Sequence, residues 1–396
     1  MIPAVMPTYA RADVVFERGE GPYLFDTGGR QYLDFAAGIA VNALGHSHPY
    51  LVKKLTEQVG KLWHCSNLYR IAGQEKLAAR LVEHTFADSV FFCNSGAEAM
   101  ECAFKMVRRY FDMNGQPGRY RIISLSGAFH GRTLATIAAG RQAKHLEGFD
   151  PIVDGFDQVP FGNLNELRAA LSDETAAIVV EPVQGEGGII PANLEYLREL
   201  RRVADEFGLL LVFDEIQTGI GRTGKLYAYE WAGVAPDILA TAKGLANGVP
   251  IGACMATETV AKAMVPGTHG STFGGNPLAM AAANAVLDVV LEDGFLDRVD
   301  AIAELVWRRL QGLAKFHPTV IEEIRGAGLM IGIKCKVPNT DLVNRLRAKG
   351  LLTVPAADNV VRLLPPLIIE EIHVNEALAI LDRCCIELAE TAEENG

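Results

Sequence analysis

An acidic and a basic side chain each follow a short apolar segment of the sequence. Residues 209–213 are wholly apolar and are followed by Asp214, and residues 238–242 are followed by Lys243. Such segments are typical of strands that are buried on both faces of a parallel sheet. Ligands of open α/β sheets bind beyond the carboxyl ends of the strands, so we expect Asp214 and Lys243 to face one crevice.

A third segment combines a predicted strand with the start of a helix. Residues 90–93 are predicted to form a strand and residues 99–110 a helix, joined by Asn-Ser-Gly-Ala-Glu. Ser95 and Glu98 have the spacing of a capping box, and Gly96 permits close approach of a ligand to the free N–H groups of the first turn. An ordinary capped helix would show the same pattern. The position after a strand favours a phosphate site.

A second glycine pattern resembles the dinucleotide fingerprint. Residues 219–224 read Gly-Ile-Gly-Arg-Thr-Gly, but they follow a polar loop and precede no convincing helix. The acidic residue that the fingerprint requires should close a second strand, whereas Asp237 precedes one. We therefore interpret these glycines as a connecting turn.

A phosphate cradle, a carboxylate and a lysine in one crevice match the needs of pyridoxal 5′-phosphate (PLP). The helix start would bind its phosphate, Asp214 would keep the ring nitrogen protonated, and Lys243 would react with the aldehyde. Taken singly, Asp214 could be an ordinary polar residue at a strand end and Lys243 a solvated lysine. Together they predict a PLP site.

Composition and charge exclude several other classes of protein. The chain has 396 residues, of which 49% are hydrophobic and 21% charged, with a net charge of −11 spread along it. This balance argues against nucleic-acid and anionic membrane partners and favours small molecules. No apolar stretch approaches the ~20 residues of a membrane span, and the N-terminus does not have the pattern of a signal peptide.

Cysteine and histidine usage predicts no metal centre. The seven cysteines have no CxxC spacing, which indicates reduced thiols and a cytoplasmic protein. His46 and His48 have no further ligands at a compatible spacing, so we expect them to form hydrogen bonds in a loop.

The order of predicted elements indicates an α/β fold with two domains. Short β segments form a meander in the first fifty residues, and strands then alternate with helices as in a mainly parallel sheet. We predict a large α/β domain over residues 49–280 and a small α+β domain from residues 1–48 and 281–396. The strands of the large domain are predicted at residues 90–93, 121–125, 177–180, 209–213, 238–242 and 252–256.

Ten segments in order resemble the class III aminotransferases of PLP fold type I over nearly the full chain. They read PTYAR, GIAVNALGHSHP, SNLY, CNSGAEA, AFHGRT, VEPVQGEGG, FDEIQTGIGRTG, ATAKG, STFGGNP and VRLLPPL. The resemblance implies a PLP-dependent aminotransferase that works as a homodimer with shared sites. Two other classes stay open. A PLP isomerase or decarboxylase of the same fold would lack the arginine pair that binds 2-oxoglutarate, Arg132 and Arg362, and a binding protein without enzymatic activity would have no use for Lys243.

The resemblance also implies roles for the residues of the cofactor site. Lys243 is similar to the lysine that bonds the cofactor and moves the proton, and Asp214 to the partner of the ring nitrogen. Gln217 resembles the donor to the phenolic oxygen and Phe129 the ring that stacks on the cofactor. Three residues are similar to the family's phosphate cradle, namely Ser95, Gly96 and Ala97. Thr272 resembles a threonine that reaches the phosphate of the cofactor in the neighbouring subunit.

Two arginines and a glutamate resemble the family's substrate-binding residues. Arg132 is similar to the residue that binds the distal carboxylate of either substrate, and Arg362 to the one that binds the α-carboxylate of 2-oxoglutarate. Glu186 resembles a switch that pairs with Arg362 while the amino donor is bound. Without Glu186, the buried guanidinium of Arg362 would be unpaired in the complex with the amino donor, at a cost of several kcal/mol.

The N-terminal segment with Tyr9 and the form VNALGHSHP resemble the branch that acts on N2-acetylornithine in arginine biosynthesis. Met100, Cys102 and residues 71–73 depart from the family's usual pattern. The donor therefore stays open among acetylornithine, ornithine, succinylornithine, an acyl-lysine and 4-aminobutanoate.

Overall fold

The structure is a computed structural model that describes residues 2–394, with side chains as far as residue 390. Within this range the strands are β1 (Phe16–Glu20), β2 (Tyr23–Asp26), β3 (Gln31–Asp34), β4 (Ser89–Cys93), β5 (Arg121–Leu125), β6 (Phe156–Val159), β7 (Thr175–Val180), β8 (Val183–Gln184), β9 (Ile190–Pro191), β10 (Leu210–Asp214), β11 (Ile238–Thr241), β12 (Gly252–Ala256), β13 (Ile321–Ala327), β14 (Met330–Cys335), β15 (Leu351–Leu352), β16 (Val354–Ala356) and β17 (Val360–Leu363).

The helices connect and cover these strands. They are α1 (Ala37–Ala40), α2 (Pro49–Val59), α3 (Ala72–Glu83), α4 (Gly96–Met113), α5 (Leu134–Gly140), α6 (Ala143–Leu146), α7 (Leu164–Ala170), α8 (Leu194–Phe207), α9 (Tyr229–Ala232), α10 (Glu258–Ala261), α11 (Pro277–Val290), α12 (Phe295–Phe316), α13 (Asn339–Ala348) and α14 (Glu371–Glu394), with a 3-10 helix at Lys243–Ala246.

A seven-stranded sheet carries the residues that the sequence analysis singled out. Its order is β4-β12-β11-β10-β7-β5-β6. The pairs of β10 with β7 and β11, and of β5 with β6 and β7, are parallel, whereas β12 is antiparallel to both of its neighbours. The prediction of an α/β fold with a mainly parallel sheet is therefore confirmed. The edge strand β6 was not predicted.

Strand β10 and helix α8 show how the sequence forms these layers. All five residues of β10 are buried, as expected for a strand covered on both faces. In α8 the buried residues recur every three or four positions, the Asn193 side chain accepts a hydrogen bond from the Glu195 N–H, and Gly208 ends the helix in a left-handed conformation.

Two four-stranded sheets lie outside the central one. The N-terminal meander pairs with a strand from the C-terminal third, in the order β1-β2-β3-β15, and the other sheet has the order β13-β14-β17-β16. Strand β17 carries Arg362, opposite Gly332 in β14. The two ends of the chain thus share one sheet, and the division at residues 48 and 280 stays a prediction.

The glycine-rich segment at residues 219–224 is a turn, as the sequence analysis proposed. No helix begins at its end. Its Arg222 is 2% exposed and donates hydrogen bonds to the carbonyl oxygens of Leu329 and Pro365. The turn therefore connects the central sheet with the C-terminal part of the chain.

The hydrogen bond expected of the histidine loop is present at His46, whereas the buried Nδ1 of His48 has no partner among the described residues. His46 Nε2 lies 2.8 Å from Asp34 Oδ2. All seven cysteines are free thiols, and only Cys65 is not fully buried. Among the described helices, none combines the length and the apolar character needed to cross a membrane.

Phe213 in β10 and Phe316 at the end of α12 form a matched test of the core. Phe213 is 0% exposed and Phe316 is 81% exposed. Phe213→Ala should lower the free energy of unfolding by about 3–5 kcal/mol, because it leaves a cavity between packed layers. Phe316→Ala should change it by less than about 0.5 kcal/mol. Urea denaturation of both variants measures this difference, and equal losses would contradict the assigned burial.

Candidate active site

A cavity of about 380 Å³ lies at the carboxyl ends of β10 and β11. Polar residues from distant parts of the chain line it. The lining includes nine of the residues named from the sequence: Ser95, Gly96, Ala97, Phe129, Arg132, Glu186, Asp214, Gln217 and Lys243.

Asp214 and Lys243 share this cavity because their strands are parallel neighbours. Asp214 is the last residue of β10 and lies opposite Ala240 of β11. Lys243 follows the end of β11 with a φ of 42°, a left-handed conformation that is rare for a residue with a side chain. Burial, and then the positive charge of Arg362, lowers the pKa of the Lys243 ammonium to about 8.

His130 and Glu181 line the cavity beside Asp214, and neither was predicted from the sequence. His130 Nδ1 lies 2.7 Å from Asp214 Oδ2, and the histidine is 1% exposed. Burial alone would lower the pKa of His130, but its hydrogen bond to Asp214 and the charges of Asp214 and Glu181 outweigh burial and raise it. Burial raises the pKa of Glu181 to about 7, against the opposing effect of the His130 charge.

The signal that would have found Glu181 was present in the sequence. Like Asp214, Glu181 directly follows a wholly buried strand, β7. Its two oxygens accept hydrogen bonds from the backbone N–H groups of Phe129 (3.0 Å) and Gly185 (3.3 Å). One carboxyl group thus holds the backbone of Phe129 and of the residue before Glu186.

The start of α4 lines the cavity, although its capping differs from the prediction. The Ser95 side chain accepts a hydrogen bond from the Glu98 N–H at 3.2 Å, as expected. The Glu98 carboxylate accepts from the N–H of Asn94, whereas a capping box would pair it with that of Ser95. A Cβ on Gly96 would lie 2.8 Å from the Ile216 side chain, so only glycine fits here. Ser95, Gly96 and Ala97 line the cavity at this end of α4.

Phe129, Arg132 and Gln217 occupy the walls of the cavity. The guanidinium carbon of Arg132 lies 5.6 Å from the centre of the Phe129 ring. The Gln217 side chain is 8% exposed, and its Oε1 has no hydrogen-bond partner. A Cβ on Gly185 would lie 2.5 Å from Gln217 Nε2, so the glycine leaves the space that this amide occupies.

Arg362 reaches the site from β17 and pairs with Glu186. Arg362 Nη1 donates to Glu186 Oε1 at 2.7 Å, and its Nη2 donates to the Pro355 carbonyl oxygen at 3.2 Å. The Arg362 side chain is 1% exposed and that of Glu186 is 30% exposed. The arginine is therefore enclosed, whereas the carboxylate is partly exposed to solvent.

Glu186 lies in the turn between β8 and β9, which the C-terminal part of the chain anchors. Arg325 donates two hydrogen bonds to the Gly188 carbonyl oxygen, at 2.9 and 2.7 Å. The Ala357 N–H donates to the carbonyl oxygen of Glu186 itself. Backbone contacts thus hold the turn, and the Glu186 side chain extends from it to Arg362.

Tyr9 and Thr272 lie outside the cavity. Tyr9 is 75% exposed in the N-terminal segment, so its predicted substrate contact has no support within one chain. Thr272 is exposed in a loop whose neighbour Ser271 accepts a hydrogen bond from the Asn94 side chain at 3.2 Å. An exposed position agrees with the predicted role of Thr272 toward a second subunit.

The departures from the family pattern lie in packed helices. Met100 and Cys102 are 0% exposed within α4. Gly73 is in the first turn of α3, where an added Cβ would lie 3.2 Å from the Met280 side chain. None of these residues lines the cavity.

Comparisons with known proteins agree with this geometry. The sequence profile of the family described as Aminotransferase class-III matches residues 5–385. The chain belongs to the class-III aminotransferase family. It is 61% identical over 371 residues to an acetylornithine aminotransferase of Brucella melitensis. The aligned region covers 94% of this chain and 92% of that protein.

Solved structures with the same fold include two aminotransferases. The N-acetylornithine aminotransferase of Stenotrophomonas maltophilia is 37% identical, with a TM-score of 0.85 over 97% of this chain and 98% of that one. An ornithine aminotransferase of Toxoplasma gondii with partial occupancy of PLP at its active site is 32% identical, with a TM-score of 0.94 over 98% and 94%. The predictions of family, fold and aminotransferase activity are confirmed.

The residues of the cavity fit PLP on three structural grounds. Two buried polar atoms of the lining residues have no hydrogen-bond partner, His130 Nε2 and Gln217 Oε1. The start of α4 offers N–H groups for a phosphate, beside the glycine that a Cβ would obstruct. Lys243 and Asp214 supply the amine and the carboxylate that an aldehyde and a pyridine nitrogen require.

The buried Lys243 ammonium should destabilise the protein without cofactor at neutral pH. Its pKa is about 8 in the folded protein against a usual 10.5, so the unfolded chain binds more protons between these values and stability rises with pH across this window. Lys243→Met should therefore raise the free energy of unfolding at pH 7, by about 1–3 kcal/mol. The gain should shrink at pH 10 in urea denaturation.

The exposed Lys53 of α2 supplies the matched control. Lys53→Met should show no gain that depends on pH. A Lys243→Met protein that is no more stable than the wild type at pH 7 would contradict the presence of a costly buried ammonium.

Proposed function

We propose that the protein transfers the δ-amino group of N2-acetyl-L-ornithine to 2-oxoglutarate with PLP as cofactor. The products are N-acetyl-L-glutamate 5-semialdehyde and L-glutamate, and the reaction belongs to arginine biosynthesis. The observation that carries the proposal is the ion pair of Arg362 with Glu186, 2.7 Å long, at a cavity that also contains Lys243 and Arg132. The curated relatives support the choice of donor.

The cofactor would lie between the start of α4 and Lys243. Ser95, Gly96 and Ala97 would bind the phosphate, Phe129 would cover one face of the ring, and Asp214 would bind the ring nitrogen. Gln217 would donate to the phenolic oxygen through its amide Nε2. When bound, PLP supplies an electron sink for the pair released from the reacting carbon.

Lys243 would move the proton in both halves of the reaction. A pKa of about 8 leaves part of the amine neutral near pH 7, so that Nζ can accept a proton from the reacting carbon and return it. His130 would hold the Asp214 carboxylate in place through the 2.7 Å hydrogen bond. Asp214 would thereby stay aimed at the ring nitrogen.

The two arginines would let one cavity accept two different substrates. Arg132 would bind the carboxylate distant from the reacting carbon, which both acetylornithine and 2-oxoglutarate possess. Only 2-oxoglutarate has a second carboxylate beside the reacting carbon, and Arg362 would bind it. With the amino donor, Glu186 would neutralise Arg362 and so avoid an unpaired buried charge.

The protein would act in the cytoplasm as a homodimer. Thr272 would reach the phosphate that is bound by the other subunit, which its exposed position supports. The N-terminal segment with Tyr9 would contribute to substrate binding in that assembly.

Purified protein with PLP should form glutamate from 2-oxoglutarate when acetylornithine is present. The absorbance of the bound cofactor should change with acetylornithine alone and return when 2-oxoglutarate is added. A panel with succinylornithine, ornithine, an acyl-lysine and 4-aminobutanoate compares the donors by single-turnover rate. A higher rate with any of these donors would reassign the substrate, and no spectral change with any donor would overturn the proposed role of the site.

Arg362→Ala and Glu186→Ala should damage opposite halves of the reaction. Loss of Arg362 removes the partner of the 2-oxoglutarate α-carboxylate, and the rate of that half-reaction should fall by about 100-fold or more, with a much smaller effect on the donor half. Glu186→Ala leaves Arg362 unpaired and should mainly slow the donor half. Single-turnover measurements of each half test the pair, and equal losses in both halves would refute the switch.

A further inference from the structure

A second cavity contains two cysteines and a histidine outside the active site. It has a volume of about 360 Å³ and lies between α4, β4, β12 and the segment after α10. Cys102 of α4, Cys254 of β12 and His269 all line it. The exposed residues Val265 and Pro266 form part of its edge. None of these residues takes part in the proposed transamination.

Lys105 determines which nitrogen of His269 faces the thiols. The Lys105 Nζ lies 2.8 Å from His269 Nδ1 and 3.0 Å from the Thr268 carbonyl oxygen. An ammonium group can only donate, so Nδ1 is an acceptor and the neutral ring carries its proton on Nε2. The Nε2–H is then the donor for the hydrogen bond between His269 and Cys102.

The pKa values of the Cys102 and Cys254 thiols shift in opposite directions. Hydrogen bonding with Cys254 and His269, together with the nearby charge of Lys105, lowers the pKa of Cys102 to about 6 against the opposing effect of burial. The same hydrogen bond to Cys102, together with burial, raises the pKa of Cys254. Cys102 is therefore the thiolate and Cys254 the thiol that donates to it.

We propose that Cys102 is a peroxide-reactive nucleophile and that Cys254 captures its oxidised form as a disulfide. The inference rests on the placement of Cys102, Cys254, His269 and Lys105 around one cavity. The chemical class of the oxidant is a small hydroperoxide, which the cavity can admit.

The proposed oxidation has two steps, and the peroxide is the only reactant besides the two cysteines. The Cys102 thiolate attacks the peroxide oxygen, which forms a sulfenic acid at Cys102 and releases hydroxide or an alkoxide. The Cys254 sulfur then attacks the Cys102 sulfur, the disulfide forms, and its proton leaves with the hydroxyl group as water. Two thiols are oxidised by two electrons, and one peroxide bond is reduced.

The disulfide would join α4 to β12 close to the phosphate cradle. Helix α4 begins at Gly96, less than two turns before Cys102. A Cβ on Gly252, at the start of β12, would lie 2.2 Å from the Ser95 carbonyl oxygen, so this strand already contacts the cradle. The oxidised protein would hold the cradle and the central sheet in one covalent unit.

The test is peptide mapping of the holoenzyme after treatment with a few equivalents of hydrogen peroxide. We expect a linked peptide that contains Cys102 and Cys254, lighter by roughly 2 Da than the sum of its parts. In Cys254→Ala, dimedone should label Cys102 as a sulfenic acid. In Cys102→Ala, Cys254 should stay a thiol under the same conditions.

Matched variants separate this chemistry from general thiol oxidation. Cys93, whose sulfur donates to the Ser95 carbonyl oxygen, and the partly exposed Cys65 are the control thiols. Cys93→Ala and Cys65→Ala should leave the 102–254 linkage unchanged. His269→Gln and Lys105→Met should slow its formation by about 10-fold or more, since the thiolate loses its donor or the donor loses its orientation.

Several results would overturn the proposal. They are oxidation confined to Cys65, a linkage through Cys93, dimedone labelling of Cys254 in Cys102→Ala, and an unchanged rate in His269→Gln. Circular dichroism of each variant shows whether it is folded. If Cys254→Ala does not fold, Cys254→Ser provides the same test with a hydroxyl of similar size.

Discussion

The parallel pairing of β10 with β7 and β11 is the constraint on which the active site depends. Parallel strands end at the same edge of a sheet, so a polar residue at each end must face the same space. Glu181 follows β7, Asp214 ends β10, and Lys243 follows β11. A shift of one residue in the register of β10 would turn Asp214 to the opposite face of the sheet and separate it from the cavity.

The charges at this edge would be costly without partners from elsewhere in the chain. His130 lies between Asp214 and Glu181, and Arg362 reaches Glu186 from a different sheet. Because buried charges require partners, the contact of the C-terminal sheet with the turn that carries Glu186 is part of the chemistry. In the proposed reaction, the carboxylate of 2-oxoglutarate would take the place of Glu186 beside Arg362.

The cavity of Cys102 and Cys254 is separate from the transamination residues but shares α4 with the phosphate cradle. A helix transmits the position of one end to the other, so a covalent bond at Cys102 would bear on the N–H groups at Gly96. Cys102 is one of the residues that depart from the family pattern, and in the folded chain it contacts a thiol and an imidazole. From the sequence, Cys102 could be assigned only to packing, whereas the structure places it beside groups that can change its reactivity.

The sequence by itself determined the strands, the site residues that end them, and the family. Apolar runs, caps and ordered motifs depend on neighbours along the chain, so Asp214, Lys243 and the start of α4 could be placed without a structure. Only the tertiary structure decided which distant groups meet. His130 contacts Asp214 across 84 positions, and the Glu98 carboxylate binds the Asn94 N–H where that of Ser95 was expected. Such contacts follow from packing between elements, which no local pattern encodes.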